Sequence, residues 1–165
     1  MLCYNMLTYV ILFYFQTSVV EIGNGRSVQI VTTWMESEKY FCFTRYLSPS
    51  ELLTMGDNKN KRKVVKTYQR IYLTKSQFDV IKAHEHILMK KGKLVMDGLP
   101  LEYCLSLGES VLLKLGDFVN IRKHWSNDKK ELFPGPHGVC LKADEFVEFL
   151  LSLKEIEQHY DNYKM

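Results

Sequence analysis

The stretch from Phe118 to Leu150, FVNIRKHWSNDKKELFPGPHGVCLKADEFVEFL, decides how the rest of the chain is read. It opens as a strand in which Val119, Ile121 and Lys123 point one way and Asn120, Arg122 and His124 the other. Trp125 closes that strand, and a polar turn runs from Ser126 to Lys130. Pro134-Gly135-Pro136-His137-Gly138 then makes a corner that cannot be helical. A short strand, Val139 to Leu141, leads into a helix that opens at Lys142, with Asp144 and Glu145 in its first turn where the macrodipole favours acids.

Working outward, the same order of events precedes it. Val19 to Ile22 is a strand ended by the Gly23-Asn24-Gly25 turn, Ser27 to Trp34 a second, and Tyr40 to Leu47 an aromatic-rich third. Ser48 to Asn60 is a polar loop with room for a short helical turn, and Tyr68 to Leu73 is the fourth strand. Thr74 is an N-cap for a helix carrying Phe78, Ile81, Ile87 and Leu88 on one face and ending near Lys90 to Lys93. Strands follow at Leu101 to Leu107 and Val111 to Leu115 before the opening stretch begins. The two helix entries match with an offset of 68: Leu73 with Leu141, and Phe78 with Phe146. The pattern implies an α+β chain of two tandem ββββα units, residues 18–93 and 94–165, behind an apolar segment at 1–17. Each unit has an antiparallel curved sheet and one helix. A unit of that size has a marginal core alone, so the two are expected to pack as an intramolecular pseudo-dimer, helix against helix.

Composition narrows the function. With 46% apolar and 25% charged residues the chain is globular. Residues 23–93 hold 14 Lys/Arg against 6 Asp/Glu, whereas 94–165 hold 8 against 12, so a basic half precedes an acidic one. That asymmetry points to a polyanion partner for the first half. Cys3, Cys42, Cys104 and Cys140 form no C-x-x-C pair, and His84, His86, His124 and His137 lack companion ligands, so no metal site or cofactor is expected. No nucleophile elbow, phosphate-cradling glycine loop or paired carboxylate motif is present, and an enzyme is not expected. Met6 to Phe15 is short for a membrane span and reads as a buried strand, with a hydrophobic anchor as its rival.

Lys59, Lys61, Arg62, Lys63, Lys66 and Arg70 lie within twelve residues and would release counterions from a phosphate backbone. Trp34, Tyr40, Tyr46 and Tyr68 fall on neighbouring strands, where a sheet face can present them to unpaired bases. The competing reading makes the lysines a solvated loop and the aromatics core.

At Ile121-Arg122-Lys123-His124-Trp125, then Pro134-Gly135, Gly138-Val139-Cys140-Leu141 and a helix, the chain resembles the positive cofactor four family of transcriptional coactivators. The resemblance covers residues 104–158 well and 19–90 more loosely. It implies single-stranded DNA held in grooves of curved sheets by basic and aromatic residues, in the nucleus or a viral replication compartment. Carried onto this chain, the expected nucleic-acid-binding residues are Trp34, Lys39, Lys61, Arg62, Lys63, Lys66, Arg70, Lys114, Arg122 and Trp125. The chain departs from the family at Pro136 and His137, where basic residues are usual, and in its short Leu115-Gly116-Asp117 hairpin. In the first unit Leu47 stands where the strand-end Trp would be. The alternative is a protein-interaction module of a transcription or replication complex that has lost DNA binding. Membrane association is not expected, and further dimerisation of the tandem chain is left open.

Overall fold

A computed structural model describes residues 19–55 and 68–164. The apolar segment at 1–17 and the basic run from Lys59 to Lys66 lie outside the described residues.

Eight strands form one antiparallel sheet: β1 (Val19–Ile22), β2 (Val28–Met35), β3 (Glu38–Tyr46), β4 (Tyr68–Leu73), β5 (Tyr103–Gly108), β6 (Val111–Leu115), β7 (Val119–Ser126) and β8 (Leu132–Leu141). Their spatial order is β1-β2-β3-β4-β8-β7-β6-β5, so two meanders meet at β4 and β8. Short turns hold each meander. Glu36-Ser37 and Glu109-Ser110 all have positive φ, the geometry of two-residue hairpin turns whose twist matches the flanking strands. Five helices accompany the described strands: α1 (Pro49–Met55), α2 (Lys75–Ala83), α3 (Glu85–Met96), α4 (Ala143–Leu151) and α5 (Leu153–Asn162).

Period-two alternation sorts the side chains. Val20, Ile22, Val28, Ile30, Phe41, Phe43, Ile71, Leu73, Leu113, Val119, Ile121, Val139 and Leu141 point to one face and are buried. The helices supply the other side of that core. Phe41 is sandwiched between Phe78 of α2 at 4.2 Å and Tyr160 of α5 at 4.3 Å, and Phe43 meets Phe149 of α4 edge-on at 5.2 Å. A Cβ on Gly92 would lie 3.2 Å from Phe146, so a side chain at this position would push α3 away from α4. The opposite face stays accessible at Tyr46, Tyr68, Tyr72, Cys104, Ser106 and Lys114.

Capping places the helix starts. The Thr74 hydroxyl accepts from the Gln77 N–H, and the Gln77 amide oxygen accepts from the Thr74 N–H. Ser48 and Glu51 make the same reciprocal pair at α1, and Glu145 accepts from the Lys142 N–H at α4.

Two expectations change. The helix after Thr74 is broken at His84 and runs on to Met96, and the second helix is broken likewise at Ser152. Neither break has a proline or glycine. Instead the His84 and Ser152 N–H groups each turn to carbonyls three and four residues back, closing a tightened final turn. The Pro134–Gly138 stretch is not a corner between strands: β8 runs unbroken through it. Arg122 pairs with Gly138 and His124 with Pro134, so a bulge absorbs the extra residues of β8. The prolines are accommodated because β4 pairs with β8 only at Arg70 and Gly138, leaving the rest of that edge without a ladder.

Candidate nucleic-acid interface

One row of residues crosses the whole sheet on the face away from the helices. In register it reads Glu21, Gln29, Thr44, Arg70, Gly138, Arg122, Leu112, Ser106. Its centre is two arginines on either side of a glycine. Neighbouring strands lie about 4.8 Å apart, so the two arginine Cα atoms stand about 10 Å apart. Gly138 makes this possible: a Cβ there would come within 2.9 Å of Arg122 Cβ and Cγ and of the Ile121 carbonyl.

Local contacts orient both guanidinium groups. Arg70 Nε donates to Thr44 Oγ1 at 3.0 Å, and its guanidinium lies 4.7 Å from the Tyr68 ring centroid. Arg122 donates to the Gly135 carbonyl at 2.8 Å and to Asn120 Oδ1 at 3.3 Å. Each has donors to spare, since a guanidinium carries five. Tyrosines flank the row on the first meander. Tyr40 and Tyr72 meet edge-on at 6.5 Å, while Tyr46 and Tyr68 are exposed. The Tyr40 hydroxyl donates to Glu38, which, with burial and the charges of Glu38, Glu109 and Glu36, raises its pKa. No tyrosine faces out from this side of the second meander, where Cys104, Ser106, Leu112, Lys114 and Asn120 stand instead.

The residues expected from sequence divide accordingly. Arg70 and Arg122 come together, and Lys114, paired across to Asn120, lies on the same face. Trp125 sits beyond the β7–β8 bulge, 55% exposed and stacked on Phe133 at 4.7 Å. Trp34 and Lys39 lie elsewhere. Lys39 donates to the carbonyls of Tyr160 and Tyr163 (2.9 Å to the latter) and stands over the Tyr160 ring, fastening the end of α5 to the β2–β3 hairpin. Trp34, on the same side, receives Lys39 at 5.7 Å from its ring, and its indole N–H is buried with no partner among the described residues. Lys61, Arg62, Lys63 and Lys66 fall outside the described residues. Tyr72 and Gly138 join the site although the sequence reading omits them. Alternation from Arg70 points to Tyr72; nothing local points to Gly138.

A second polar feature lies at one end of the β4–β8 seam. Arg45, only 4% exposed, donates to Glu145 at 3.0 Å and to Glu51 at 2.8 Å. Glu145 also accepts from Ser27 Oγ at 2.8 Å. Hydrogen bonds from the Ser48 backbone and from Arg45 hold the Glu51 carboxyl at about 2, below its ordinary value. These groups line a cleft of about 430 Å³ in which acids and bases neutralise one another. Among the described residues no group of three His, Cys, Asp or Glu could hold a metal ion, and no helix is long and apolar enough to cross a membrane.

Compared with known proteins, the chain matches no family model, and no curated protein is similar to it in sequence.

Proposed function

We propose that this chain binds single-stranded nucleic acid without catalysing a reaction, as a two-copy relative of the positive cofactor four coactivators acting on unwound DNA. The observation that carries the reading is the row across the sheet, with Arg70 and Arg122 flanking Gly138 and tyrosines beside them. Arginines meet phosphates, and exposed rings accept bases in stacks worth about 1–3 kcal/mol each. The basic run from Lys59 to Lys66, next in the chain to β4, adds to the attraction for a polyanion.

The same register supports the reading of two tandem units. The ranges of α2 and α4 are offset by 68, as are the breaks at His84 and Ser152. Arg70 and Gly138, which join the meanders, are also 68 residues apart. A two-fold interface brings equivalent positions together in this way.

The test is binding of oligo-dT as salt rises. Binding that weakens with salt and drops when Arg70 and Arg122 become Ala supports the proposal; no binding at low salt overturns it. A protein-interaction role draws on the exposed Trp125–Phe133 stack and Leu132 in the acidic half. It predicts no mobility shift with single- or double-stranded probes.

A further inference from the structure

We propose that the open end of the β4–β8 seam is a subsite for one unpaired nucleobase, turned out of the bound strand and inserted between the two halves of the sheet. This inference rests on the single-strand reading above and adds a defined site to it. β4 and β8 share a single pairing, at Arg70 and Gly138, so their continuations carrying Tyr72 and His137 are joined by no ladder. The cleft between them has a volume of about 340 Å³. That is near the lower end of small-molecule sites, about 300–1,000 Å³, and suits one base with its sugar.

Its lining has the chemistry a base requires. Ile71 and Val111 give an apolar floor, and Tyr40 and Tyr72 supply aromatic rings. At the rim stand the side chains of Lys123, His137 and Glu109, none of which makes a side-chain hydrogen bond or ion pair among the described residues. They offer an ammonium donor, an imidazole ring and a carboxylate acceptor, which together can meet the polar edge of a base. Gln77, deeper in, is already committed to the Thr74 N–H and the Gly108 carbonyl and serves to hold the wall. Tyr72 is two residues from Arg70 along β4, about 6.7 Å. A strand with a phosphate on Arg70 can therefore reach the cleft with an adjoining base.

The opposite end of the seam shows what a version with its own groups paired looks like. There Arg45 occupies the register position of Lys123, each opposite the first residue of its neighbouring strand, Val28 or Val111. Glu145 stands 68 residues after Gln77. Arg45 and Glu145 bond to each other, so the cleft at that end is lined by charges already paired. At the Lys123 end no such pair forms, and the apolar floor is left for a ligand.

The experiment uses the full chain and two twelve-residue probes of equal charge: one wholly abasic, the other carrying a single adenine at its centre. The ratio of their affinities is the readout. The wild-type chain should prefer the base-bearing probe on the order of tenfold, the range of one stacked base. Lys123→Ala and His137→Ala, both at the rim and outside the core, should each reduce that ratio towards one. Arg70→Ala should weaken both probes alike and leave the ratio. Equal binding of the two probes by the wild type overturns the subsite while single-strand binding stands. A ratio that survives both rim substitutions moves the base elsewhere on the sheet and also overturns it. Binding of neither probe, nor of oligo-dT, overturns the single-strand reading and the subsite with it.

Discussion

Glu145→Ala removes the acceptor at the centre of the buried ion pair and tests how the acidic half is locked to the basic half. In the native chain the Glu145 carboxylate takes hydrogen bonds from Arg45 Nε at 3.0 Å, Ser27 Oγ at 2.8 Å and the Lys142 N–H at 2.8 Å. Arg45 and Glu145 side chains are each 4% exposed, so water cannot replace the lost partner without entering the core. Breaking a buried pair from one side costs about 3–5 kcal/mol. Glu51, still 2.8 Å from Arg45 Nη2, keeps part of the charge balanced and places the expected loss near the lower figure. For a chain of this size about 3 kcal/mol lowers Tm by about 6–12 °C. Thermal unfolding followed by circular dichroism reads this directly. Glu145→Gln, which keeps an acceptor but removes the charge, should fall between wild type and Ala. The double variant Arg45→Met, Glu145→Leu should regain at least half of the loss, because no uncompensated charge remains. A Glu145→Ala chain melting within about 2 °C of wild type, or a double variant no better than the single one, would refute the reasoning.

Each of Arg70→Ala and Arg122→Ala should reduce the slope of log affinity against log salt for single strands by about 0.7, measured by fluorescence anisotropy. Gly138→Ala places a methyl 2.9 Å from the Ile121 carbonyl oxygen, a backbone atom that cannot swing aside. Its stability should fall by about 1–3 kcal/mol in urea unfolding, with weaker oligonucleotide binding as Arg122 is displaced. Lys39→Met should release the end of α5 and lower Tm, yet leave the salt slope for oligo-dT unchanged, since Lys39 is engaged with Tyr160 and Tyr163. The Glu51 carboxyl is held at about 2, below its ordinary 4.5. Its contribution to stability is therefore intact above about pH 4.5 and is lost as pH falls towards 2. Replacing Glu51 with Gln should flatten the stability profile across that window.

Much of the molecule can be read along the chain. Val28, Ile30, Phe41, Phe43, Ile121 and Val139 announce their strands by alternation, and Thr74 with Gln77 announces a helix start. The α+β class and an antiparallel sheet follow from these local signals. Arg122 was legible as a candidate because alternation sets it opposite Ile121, and Arg70 because it ends the basic run that begins at Lys59. The helix breaks at His84 and Ser152 were not, since no proline or glycine marks them. The continuity of β8 through Pro134 and Pro136 was hidden as well. Proline normally ends a strand, and only the missing ladder on one side of β8 admits it.

Alternation and capping depend on residues a few positions apart, so the sequence alone located most of the strands and their buried faces, but not the β7 bulge, past which His124 is buried and Lys123 exposed. It also set the contrast between a basic and an acidic half. Which strands become neighbours depends on contacts far apart in the chain, which period-two patterns do not encode. The tertiary structure therefore decided that β4 lies beside β8 and that Arg70 and Arg122 flank Gly138. It decided too that Lys39 holds α5 rather than joining the arginine row. In the stretch from Phe118 to Leu150, Arg122 and Gly138 supply half of the candidate interface whose other half, Arg70 and Tyr72, comes from β4.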